Sequence, residues 1–148
     1  MMLPRLKSLS LALIGGMFAA LAMMPLQSAS AQDSGLNIEL NKLADEESGC
    51  SAYLVFNNTS DKRYSSYQLD LFLLDGEGII QRRLTVEAAP LRAKKTSIKV
   101  FTIPEQKCES IGRVMLNDIT ACKSGDAMME DCIDSANVSS RTSAEFVK

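Results

Sequence analysis

The residues of this 148-residue chain best able to do chemistry are its four cysteines, Cys50, Cys108, Cys122 and Cys132. Thiols at such positions can bridge, bind metal or cycle electrons, and spacing separates these uses. No C-x-x-C pair occurs, which removes the usual zinc knuckle and the usual redox-active dithiol. The chain has no histidine, so a Ser-His-Asp triad, a Cys-His dyad and His-ligated zinc are all excluded. An even cysteine count in a small chain then reads as two disulfides wherever the chain reaches an oxidising compartment, with no metal and no cofactor expected.

The remaining polar candidates are weaker. Arg113, Asn117, Asp118, Ser139, Ser140, Arg141 and Thr142 lie on two successive expected strands and are the one set that could converge into a binding patch. The structural reading pairs Asp118 with Arg113 or Arg141 at the edge of a sheet. Asp118 could serve as a general acid, but no second activated group stands near it in the sequence. Ser139 and Ser140 lack a histidine, and no S-x-x-K pattern offers a lysine base. Asp45-Glu46-Glu47 lacks the alternating oxygen ligands of a calcium loop and reads as a solvated turn. Asn57-Asn58-Thr59 and Asn137-Val138-Ser139 match glycosylation sequons, which read as accidental if the chain is bacterial and periplasmic. Arg92, Lys94, Lys95 and Lys99 form a basic strip suited to an acidic partner or to anionic headgroups, or simply to the solvent face of a sheet. Tyr53, Tyr64 and Tyr67 read as core and edge packing rather than an aromatic binding surface. None of these residues reads as catalytic.

The elements that must position these residues have a period of two. Leu36, Ile38 and Leu40 alternate with polar residues in a first strand. Cys50, Ala52, Leu54 and Phe56 share one face of a second, opposite Tyr53 and Val55, and Asn57 to Asp61 turns the chain. Leu69, Leu71 and Leu73 point inward from a third, which ends in Asp75-Gly76-Glu77-Gly78, a tight hairpin because glycine accepts positive φ. A fourth strand, Ile79 to Val86, contains Arg82 and Arg83, charges that suit an edge. A fifth, Thr96 to Ile103, alternates Ile98 and Val100 with Ser97 and Lys99. A sixth runs from Ile111 to Thr120 and a seventh, weakly apolar, from Ile133 to Thr142. Seven short antiparallel strands with regular turns imply an all-β, two-sheet sandwich of immunoglobulin-like type.

That strand order predicts the bridges. The second and fifth strands are antiparallel neighbours in such a sandwich, so Cys50 meets Cys108. The sixth and seventh are expected to form a hairpin whose inner ends carry Cys122 and Cys132.

Residues 1–31 differ from the rest. Arg5 and Lys7 precede an apolar run from Leu9 to Met24, and Ala29-Ser30-Ala31 offers a signal-peptidase site. The expected domains are therefore a secretion signal at 1–31, cleaved before Gln32, and a single sandwich at 32–148. The apolar run is shorter than the roughly 20 residues of a membrane-spanning helix, although retention as an anchor is the competing reading. Arg5 has no arginine beside it to make a twin-arginine signal, and no cysteine follows the site to be lipidated. Loss of two basic residues moves the net charge from −2 to −4. An acidic mature chain argues against nucleic-acid binding, and the general secretory route to an oxidising periplasm is the expected destination.

Residues 51–103 carry a recognisable pattern: Ala52-Tyr53-Leu54-Val55-Phe56-Asn57-Asn58, then Leu69-Asp70-Leu71-Phe72-Leu73-Leu74-Asp75-Gly76-Glu77-Gly78-Ile79-Ile80, then Leu91-Arg92-Ala93-Lys94-Lys95-Thr96. This resembles FxLYD-type and related immunoglobulin-like bacterial envelope domains, differing by Leu74 in place of the tyrosine before Asp75 and by its four cysteines. With Leu116-Asn117-Asp118 and Ser139-Ser140-Arg141-Thr142, the whole chain is also similar to secreted alphaproteobacterial proteins. The resemblance implies an interaction or assembly role with an envelope protein partner and supplies no active-site residues. A small-ligand or lipid carrier is the alternative expectation, and a hydrolase or redox enzyme the third.

Overall fold

Alternating side chains let each strand bury one face and wet the other, and two such sheets close on each other through their apolar faces. In a computed structural model, which describes residues 35–148, nine strands do this. They are β1 (Leu36–Glu46), β2 (Gly49–Asn58), β3 (Ser66–Leu74), β4 (Ile80–Glu87), β5 (Lys95–Pro104), β6 (Arg113–Ser124), β7 (Ala127–Met128), β8 (Ala136–Ser140) and β9 (Glu145–Val147). The signal expected at 1–31 lies outside the described residues. A four-stranded sheet has the order β5-β2-β1-β8; a five-stranded sheet has the order β4-β3-β6-β7, with β9 also on β6. The result is an immunoglobulin-like two-sheet sandwich.

The core is the layer between the sheets. Leu36, Ile38 and Leu40 of β1 and Leu54 and Phe56 of β2 meet Leu69, Leu71 and Leu73 of β3 and Val114 and Leu116 of β6, all buried. Two disulfides close it, Cys50–Cys108 and Cys122–Cys132. The first follows from the antiparallel β2–β5 ladder, where Cys50 lies opposite Ile103 and a short 3-10 turn at Cys108–Ser110 brings the second sulfur back. The hairpin at 75–78 is as expected. Gly78 has φ +82°, and the Asp75 carboxylate accepts the amides of Glu77 and Ile79 at 3.0 and 2.9 Å. Gly112 passes so close that a Cβ there would stand 2.6 Å from the Asp75 carbonyl oxygen. The arginine-bearing strand β4 is an edge, with Arg82 opposite Leu73 on the core-facing side.

Two expectations change, and the facing of the fifth strand, which its alternation alone leaves open, is settled. The sixth and seventh strands form no hairpin: β8 crosses to the other sheet and runs parallel to β1, Leu36 to Leu40 against Ala136 to Ser140. The reason is that β6 extends to Ser124 and takes β7 as its antiparallel return, so the chain after Cys132 is free to cross. The Cys122–Cys132 bridge therefore pins the start of a crossover, not the base of a hairpin. A ninth strand beyond the expected last one, β9, returns parallel to β6 and buries Phe146. Finally, β5 turns Ile98 and Val100 outward. Phe101 and Ile103 share the opposite parity, and with Ile103 buried beside Cys50 the strand has no choice but to present Ile98 and Val100 to solvent.

Candidate functional site

The predicted polar patch does not assemble, because its members stand on different sheets. Arg113 pairs with Glu145 at 2.6 Å, and Arg141 with Glu39 at 2.8 Å. Asp118 binds neither arginine; its Oδ1 accepts the Ile119 amide at 2.7 Å. Ser140 donates to the Ala144 carbonyl at 2.6 Å and belongs to a local turn with Thr142. Ser139 lies opposite Glu39 on β8. Only Asn117 joins a larger arrangement, donating to Asp70 at 2.8 Å.

That arrangement lies on the outer face of the five-stranded sheet. Asp70 is 1% exposed, and its carboxylate accepts Arg83 Nε at 2.7 Å and Nη2 at 3.2 Å as well as the Asn117 amide. Arg83 also lies 5.4 Å from the Phe72 ring, forming a lid over the acid. The Arg83 guanidinium, helped by Asn117, holds the Asp70 carboxyl below its ordinary range against the opposing effect of burial. Glu87 behaves similarly: burial opposes its ionisation, but the amides of Tyr67 and Ala89 outweigh that and keep it low. Each of these carboxylates accepts three hydrogen bonds that favour its charged form and tie neighbouring strands together. Asn58 is a comparable buried anchor, donating to the carbonyls of Lys62 and Arg92 at 2.7 and 3.0 Å and so tying two loops together.

The outer face of the four-stranded sheet is built differently. The ladders put Ile98 beside Val55 and Val55 beside Glu39, then Val100 beside Tyr53 and Tyr53 beside Lys42. A bulge between Leu40 and Lys42 keeps Lys42 on this face, where its ammonium lies 5.3 Å from the Tyr53 ring. Ile98 is 65% and Val100 51% exposed, next to half-buried Val55 and Tyr53. Beyond them, Thr96 donates to Asn57 at 3.2 Å and Ser51 meets Thr102 at 3.4 Å, closing the patch at both ends with polar groups. An apolar centre with a polar rim is the anatomy of a protein-binding surface.

The other candidates are distributed around these faces. Tyr64 and Tyr67 are buried edge-to-face with centroids 5.0 Å apart, and burial pushes the Tyr67 phenol up. Of the basic strip, Lys94 donates to the Thr59 carbonyl at 2.7 Å and Lys99 reaches the Ala89 carbonyl at 3.5 Å. An open groove of about 680 Å³ at one end is lined by Asp45, Glu46, Glu47, Glu105 and Glu109, with Lys107 among them, and Asp45 there accepts the Cys108 amide at 2.9 Å. The apolar space between the sheets, bounded by Leu54, Leu71, Leu84 and Phe101 among others, is only about 20 Å³. Among the described residues no helix is long and apolar enough to cross a membrane.

Two features escaped sequence reasoning. Asp70 inside the apolar run Leu69-Asp70-Leu71 signals a buried charge that needs a cation, and the hairpin offset places Arg83 diagonally across from it. The outward pair Ile98 and Val100 is signalled by its parity conflict with Phe101 and Ile103. Compared with known proteins, the chain matches no family model, no curated protein and no solved structure.

Proposed function

We propose that this chain is a non-catalytic protein-interaction module of the bacterial cell envelope, exported to the periplasm by the general secretory route. The observation that carries the reading is the exposed apolar centre Ile98, Val100, Val55 and Tyr53 on the four-stranded sheet, with its polar rim. Two disulfides and no free cysteine suit an oxidising compartment. The resemblance to FxLYD-type envelope domains supports the same role. A lipid or small-ligand carrier needs several hundred Å³ of apolar cavity, and the 20 Å³ between the sheets favours interaction over carriage.

The test is site-specific photo-crosslinking in cells expressing the full chain. A crosslinker at position 98 or 100 is expected to give discrete protein adducts in the periplasmic fraction, whereas one at Thr85, on the outer side of the other sheet, is expected to give none. Equal labelling from both faces, or none from either, contradicts the reading.

A further inference from the structure

The outer face of the four-stranded sheet is complementary to itself. Its two central rows, read across β5, β2 and β1, are Ile98-Val55-Glu39 and Val100-Tyr53-Lys42. The flanking rows begin Thr96-Asn57 and Thr102-Ser51. Consider a two-fold axis lying in the plane of contact, perpendicular to the strands and midway between the central rows. It sets each row against the other row of a second copy. Ile98 then faces Val100 of the second copy, Val55 faces its Tyr53, Glu39 faces its Lys42, and Thr96 faces its Thr102. An axis along the strands instead sets Ile98 against Glu39, an apolar side chain against a charge. We infer that the occupant of this face is a second copy of the same chain, packed sheet on sheet about the perpendicular axis.

Several observations support that occupant over an unrelated one. Isologous contacts require one patch to carry both members of every pair, and here the acid and the base occupy the same column in adjacent rows. Glu39 is held ready: Asn41 and Arg141 each donate to it at 2.8 Å, which lowers its pKa, while a quarter of its side chain stays exposed. Sheets packed face to face cross at about 30°, a deviation that still keeps row against row over a short patch. The three strands and four rows span about 14 by 24 Å, less than the roughly 800 Å² per partner of a standard interface. The dimer is therefore reversible and concentration-dependent.

This inference rests on the reading of the face as an interaction surface, and sedimentation velocity of the purified protein separates the two. The wild type is expected to shift from monomer to dimer as concentration rises. Glu39→Lys and Lys42→Glu each create two like-charge contacts across the axis and are expected to weaken the dimer by at least about tenfold. An equimolar mixture of these two variants restores opposite charges and is expected to recover most of the wild-type association. Ile98→Lys, at a solvent-exposed position, removes association without relying on the ion pair. A wild type that stays monomeric at all concentrations, or a mixture no tighter than its components, overturns the inference. If it is overturned while a crosslinker at position 98 still captures an envelope protein, the interaction reading survives with a different partner; if that crosslinker also captures nothing, both fail.

Discussion

The two outer faces of this sandwich solve the same problem in opposite ways. On the five-stranded sheet a buried acid, Asp70, sits under Arg83, with Asn117 completing its hydrogen bonds, so that face is finished within the chain. On the four-stranded sheet the corresponding surface is Ile98, Val100, Val55 and Tyr53, left half-covered by Lys42. Substitutions on the first face should be felt in folding, because they strand a desolvated group. Substitutions of Ile98 or Val100 on the second should be felt in association, because these two side chains are already exposed to water in the single chain.

The largest expected effect breaks both faces together. Replacing Cys50 and Cys108 with alanine opens a 58-residue loop anchored on β2 and is expected to cost about 4 kcal/mol in chemical denaturation. The same change at Cys122 and Cys132, separated by 10 residues, is expected to cost about 3 kcal/mol. Next comes Asp70→Ala, which unpairs Asn117 and releases Arg83; about 2 kcal/mol of unfolding free energy should be lost, with dimerisation unaffected.

The Asp70 prediction sharpens with pH. Because its folded-state pKa lies below the ordinary 3.8, its contribution is present above that value and is lost as pH falls through the lower folded-state value. The wild type should therefore lose stability below about pH 4 more steeply than Asp70→Asn, measured by thermal melts across pH 2 to 6. Ile98→Lys is expected to change unfolding by no more than about 0.5 kcal/mol while removing self-association, the reverse of Asp70→Ala. Smallest is Arg113→Ala, which removes an exposed pair with Glu145 and should change stability by less than about 0.5 kcal/mol in the same denaturation assay. An Arg113→Ala effect as large as that of Asp70→Ala would remove the distinction between sealed and exposed polar groups.

Much of this architecture was legible in the residues. Leu36, Ile38 and Leu40, and Leu69, Leu71 and Leu73, alternate cleanly, and a clean alternation leaves one choice of inner face. Asp75-Gly76-Glu77-Gly78 specifies its turn locally, through a carboxylate that bonds the next amides and a glycine at positive φ. The segment 133–142 was not legible in the same way. Ala136 is buried but small and Val138 is half-buried, so the segment carries too weak an apolar pattern to name its own partner, which is chosen by where β6 and β7 leave room. The candidate patch failed for a related reason: Arg141 comes near Asp118 only if β8 shares a sheet with β6, and it pairs with β1 instead, while Arg113, on the same strand as Asp118, is taken by Glu145.

Residue types alone determined the excluded histidine chemistry, the period-two strands, the pairing of Cys50 with Cys108 and the charged edge at β4, because each depends on local geometry or on neighbouring strands. Tertiary structure decided the parallel crossing of β8, the burial of Asp70 beneath Arg83 and the exposure of Ile98 and Val100. Each of those is a competition between distant segments for a limited inner surface. In β5 the side with Ile103 won that competition, and the losing side, with Ile98 and Val100, was left exposed to solvent.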